Sequence, residues 1–144
     1  MTPAVTHAVR QILAHETGGG SSSELVAAGA AQACVKISRH LSKVIGDAGI
    51  RMLLDRSVTL TRAKFPWLAS AEPKLTDFAQ LRASLAQQDA ATAITAAEFL
   101  LTTLTGLLGQ FIGDRLATHL LSEIWPDVLL PNAPVSPNAP EEPL

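Results

Sequence analysis

The run from Leu100 to Trp125 constrains the fold more than any other stretch, because it is the most apolar part of the chain and half of its pattern has already occurred once. A shift of 67 residues brings Leu41 onto Leu108, Ile45-Gly46-Asp47 onto Ile112-Gly113-Asp114 and Leu53-Leu54 onto Leu120-Leu121, with Ile37 opposite Leu104 and Val44 opposite Phe111. Helical periodicity alone demands the apolar positions but not the glycine and aspartate. The repeated unit therefore reads as a helix, a Gly-Asp junction and a second helix, in two pseudo-repeated halves. Each copy ends in an aromatic residue followed by proline, Phe65-Pro66 and Trp125-Pro126, and the two second arms differ in length by seven residues. Seven residues are close to two helical turns, so the two ends keep the same rotational phase.

The rest of the chain is helical in pattern as well. Apolar residues make up 47% of the 144, tyrosine is absent and alanine and leucine dominate, which favours helix over sheet. Val5, Val9, Ile12 and Leu13 mark one face of a first helix over 1–17, loosely tethered by a Gly/Ser hinge at 18–23. Ser21 and Glu24 are spaced as a capping box for the second helix. Over 24–45, Cys34, Ile37, Leu41, Val44 and Ile45 fall on one side and Lys36, Arg39, His40 and Lys43 on the other. Gly46 is the expected helix stop, with Asp47 capping the third helix, and Gly113-Asp114 is the same junction in the second copy. Pro73 closes a loop after Phe65-Pro66-Trp67, Thr76 or Asp77 caps a short helix, and Asp89 caps the long apolar one. The expectation is an all-α, single compact bundle of about six helices over 24–126. The tail, 127–144, carries proline at every third position from Pro131 to Pro143 and reads as disordered.

Chemistry is sparse. The four histidines have no metal-ligand spacing with one another or with Cys34, so neither a metal nor a cofactor is expected. No serine stands in a nucleophile-elbow context, which argues against an enzyme. Cys34 has no second cysteine to pair with and the first residues lack a secretory apolar core, which points to a reducing cytoplasm. The stretch 90–113 has a single charge, Glu98, but its alanine and threonine content fits a core helix better than a membrane span.

Contact is the expected role: a regulatory or signalling adaptor module that works by dimerisation and an unidentified protein partner. Thr105, Gly109 and Gly113 recur at i, i+4 and i+8, a ridge of small residues that lets another helix approach closely, either as a homodimer seam or within one chain. Between Lys36 and Lys64, seven basic residues face two acidic ones. Lys36, Arg39 and Lys43 are therefore the candidate face for an anionic partner, although the sequence offers nucleic acid neither an aromatic platform nor a helix-turn-helix. Finally, Arg39-His40-Leu41-Ser42-Lys43-Val44-Ile45-Gly46 resembles the phosphorylatable helix of histidine phosphotransfer domains. The resemblance implies His40 as phosphoacceptor, with Lys43 three residues on and Lys36 nearby. Val44 stands where that family has glycine.

Overall fold

The computed structural model describes residues 3–18, 20, 22–68 and 78–126, with the side chains of 3–7 left aside. The expected capping role of Ser21, the roles of Pro73, Thr76 and Asp77, and the proline-rich tail lie outside these residues. The described chain is all-helical: α1 (Pro3–Thr17), α2 (Ser23–Lys64), α3 (Ala79–Ala86), α4 (Ala90–Ile112) and α5 (Asp114–Ile124). Five helices are described where about six were expected, because the two arms that meet at Gly46 belong to the one element α2. Gly46 itself is non-helical, at φ 81° and ψ 161°, so α2 has two arms, 23–45 and 47–64.

The first arm of α2 is capped by Ser22, whose side chain accepts from the Leu25 amide. Asp89 caps α4 as its position suggested, accepting from the Thr92 amide. The junctions differ from the expectation in one respect. Gly113, at φ 93° and ψ 145°, is itself the N-cap of α5 and supplies no side chain, while Asp114 is already the first helical residue. The α3 N-cap is Phe78, left-handed at φ 54° and buried. A bulky residue adopts this conformation only where its surroundings hold it, and here the ring sits in the core.

The two arms of α2 fold back on each other. Val26 lines a shallow recess with Ile94, and Phe65 stacks edge-on against Phe99 with ring centroids 6.0 Å apart, so both ends of α2 meet the first half of α4. At 1.5 Å rise per residue an unbroken 42-residue helix could not return to that place. The same reversal occurs at Gly113, where the Asp114 carboxylate lies over Gly109. Meanwhile α5 runs antiparallel to the first arm of α2, because Trp125 and Lys36 meet the same carboxylate at one end and Glu123 meets His40 farther along. Both glycine breaks consequently lie at one end of the bundle.

Burial follows the 67-residue shift closely. Val26 and Ala93, Ala30 and Ala97, Cys34 and Leu101, Ile37 and Leu104, Leu41 and Leu108, Ile50 and Ala117, Leu53 and Leu120, and Leu54 and Leu121 are all core residues. Cys34 is fully buried, and loss of solvent pushes its thiol up to about 12, which leaves it protonated and inert as expected for an inward-facing cysteine. The helix α1, expected to be loosely tethered, contributes Val9, Ile12 and Leu13 to the core. Of the described helices, α4 alone is long and apolar enough to cross a membrane, and half of its most apolar window is buried inside the bundle.

Candidate interaction surface

Three features converge where α5 crosses the first arm of α2. The first is a clamp on Glu16, near the end of α1, where Ala14 and His15 are exposed and Glu16 turns inward. Its side chain is 5% exposed and its Oε2 accepts from Lys36 Nζ at 2.6 Å and from Trp125 Nε1 at 2.8 Å. One buried oxygen thus ties α1, α2 and the end of α5 together, and it satisfies the indole N–H that burial of Trp125 would otherwise strand.

The second is a bridge centred on Glu123. His40 Nε2 meets Glu123 Oε1 at 2.7 Å, and His119 Nε2 meets Oε2 at 3.2 Å from one turn earlier on α5. All three side chains are open to solvent, His119 the most and His40 the least. The hydrogen bond from His40, helped by the charge of the two imidazoles, holds the Glu123 carboxyl below its ordinary range. In a neutral imidazole the nitrogen facing a carboxylate carries the proton, so His40 presents a bonded edge to α5 rather than a free one. Among the described residues no group of His, Cys, Asp and Glu is arranged to hold a metal ion.

The third is apolar. Val44, Phe111 and Leu116 are 49%, 53% and 41% exposed. Because α5 is antiparallel to this arm of α2, stepping four residues from the His40–Glu123 contact sets Val44 level with His119, and Leu116 lies one turn beyond. Phe111 stands two residues before Gly113. All three belong to the end of the bundle where the chain reverses.

The residues singled out from sequence are distributed unevenly over this surface. Lys36 is drawn inward to Glu16, whereas Arg39 and Lys43 remain exposed, so the candidate anionic face loses one of its three cations to an internal pair. Farther along the basic segment, Arg62 Nε donates to the Leu68 carbonyl and Lys64 sits 5.0 Å over the Phe99 ring. Thr105 and Gly109 are buried within the chain, with the Thr105 hydroxyl donating to the Leu101 carbonyl and Asp114 covering Gly109. Only Gly113 of that ridge is exposed, as are Gly46 and Asp47. Two of the three small residues are thus buried inside one chain. Sequence reasoning missed Glu16, His119 and Glu123. The one available signal was the i, i+4 spacing of His119 and Glu123, since their partner His40 is 83 residues away from Glu123.

Comparison with protein families, with characterised proteins and with solved structures finds no match.

Proposed function

We propose that this protein is a non-enzymatic helical interaction module that acts as a homodimer through the reversal end of the bundle. The observation that carries the reading is the placement of Val44, Phe111 and Leu116, three large apolar side chains each about half exposed, at the one end where both glycine breaks lie. Exposed apolar residues scattered singly are ordinary, but a group at one end of a small bundle is the kind of surface that association covers. This reading sets the dimer contact at the turn beside Gly113 rather than along the whole ridge of Thr105, Gly109 and Gly113 expected from sequence. A second copy would present the same three residues, as a twofold interface requires. The remaining surface would be left to the regulatory partner, and the inert, buried Cys34 suits a cytoplasmic setting.

Light scattering coupled to size exclusion at micromolar concentration tests this. Wild type is expected at twice the chain mass of 15.2 kDa, and Phe111→Glu at the monomer mass. A wild type that stays monomeric across the concentration range ends the homodimer reading, and a Phe111→Glu variant that remains dimeric moves the interface elsewhere.

A further inference from the structure

We propose that His40, Glu123 and His119 form a protonation-controlled clasp that sets how firmly α5 is held against α2, and so regulates the association surface at the reversal end. As regulation of that surface the inference rests on the dimer reading, but the clasp itself does not.

Glu123 uses both carboxylate oxygens, one toward His40 on α2 and one toward His119 on its own helix, at 2.7 and 3.2 Å. The α5 helix is only eleven residues long and is preceded by a glycine that provides no side-chain cap, so its position depends on few polar anchors. One anchor is Trp125 on Glu16, which contains no imidazole. The other is the clasp. Leu116, His119 and Glu123 are spaced i, i+3 and i+7 and share a face of α5, so a change at the clasp reaches the apolar end directly.

Imidazoles gain their charge between about pH 8 and pH 5. A charged imidazole makes a charge-assisted hydrogen bond to a carboxylate, roughly twice as strong as the neutral one. The Glu123 carboxyl, held below its ordinary range, stays ionised throughout that interval. Any charge the two imidazoles gain therefore tightens the clasp, and any charge they lose slackens it. The surrounding groups modulate this. On α2, Lys36, Arg39 and Lys43 oppose a further positive charge, but Lys36 is neutralised by Glu16 of α1. The only ionisable residue of α4, Glu98, is engaged with Arg10 of α1, and on α5 Asp114 and Arg115 offset one another at the far end of the helix.

Amide hydrogen exchange across α5, corrected for intrinsic rates, tests the clasp in the full chain. In wild type, protection of the α5 amides is expected to rise about three- to tenfold between pH 8 and pH 5.5, as two exposed charge pairs would produce. Glu123→Gln should flatten this dependence, and His40→Gln and His119→Gln should each remove part of it, with helix content by circular dichroism unchanged. Should Glu123→Gln fail to fold, the two histidine variants carry the test. Equal wild-type protection at both pH values, or a dependence that survives loss of both histidines, overturns the clasp. Running the same exchange on Phe111→Glu separates the two ideas. If that variant and wild type are both monomeric while α5 still titrates, the clasp stands and the dimer reading falls. If wild type is dimeric and its dissociation constant does not change with pH, the clasp does not regulate association and the proposal fails.

Discussion

Gly46 at φ 81°, ψ 161° and Gly113 at φ 93°, ψ 145° reverse the chain in nearly the same conformation, and the arms on either side are matched in burial but finished differently. Each long first arm is capped 67 residues apart, by Ser22 and by Asp89, with the amide three residues on as donor. Each second arm ends on an aromatic residue with matching backbone, Phe65 at φ −127°, ψ 78° and Trp125 at φ −126°, ψ 66°. The second arm of α2 is two turns longer than α5, and its end is closed by rings: Phe65 packs edge-on against both Trp67 and Phe99. Trp125 is closed by a polar clamp instead, because α1 crosses there and brings Glu16. A hairpin of this kind thus needs buried leucines and a glycine at the turn, whereas the sealing of its open end is free to vary.

Leu41→Ala and Leu108→Ala challenge the shared part most strongly. Both residues are fully buried, so each substitution should cost about 2–5 kcal/mol in urea unfolding, with the two values close to each other. A loss below about 1 kcal/mol at one site would break the equivalence. The unshared seal is expected to matter somewhat less. Glu16→Ala strands the Trp125 indole N–H and should cost about 1–3 kcal/mol, and Trp125→Phe in the same background should cost markedly less than it does in wild type. Independent, additive losses would show that Glu16 does not seal the second hairpin.

At the turns themselves, a Cβ on Gly46 or Gly113 would meet nothing within 4 Å, so the penalty for alanine there is conformational alone, about 1–3 kcal/mol each in the same unfolding measurement. Gly109 is the contrast. Its Cβ would meet only the carboxylate end of Asp114, which can swing aside, so Gly109→Ala should stay within about 1 kcal/mol of wild type, helped by the helical preference for alanine. The smallest effect distinguishes the two caps by pH. Hydrogen bonds from the Thr92 side chain and amide hold the Asp89 carboxyl below its ordinary value of 3.8. Its contribution is therefore complete above that value and is lost as pH falls through the lowered one. Ser22 has nothing to titrate. Amides in the first turn of α4 should lose exchange protection under acid conditions in which those at the start of α2 keep theirs.

Much of this architecture is written locally. The 3.6-residue spacing of Ile37, Leu41 and Leu104, Leu108 dictates helices with a buried stripe, Gly46 and Gly113 mark the turns because only glycine adopts their backbone without strain, and Asp89 announces a helix start. The inward direction of Cys34 is set by the same stripe. The use of Gly113 rather than an aspartate to begin α5 turns on one residue of register that propensity does not resolve.

What the chain could not announce is which helix faces which. Whether Gly109 is covered from within one molecule depends on how sharply Gly113 folds Asp114 back over it. That α1 joins the core, that Lys36 leaves the basic face for Glu16, and that His40 finds Glu123 from 83 residues away are consequences of two hairpins closing side by side. Periodicity determines the buried face of each helix, because burial is a local matter of spacing. Only the tertiary structure decides the polar contacts between helices, because hydrogen bonds and ion pairs form within about 3 Å and depend on the crossing of elements distant in sequence.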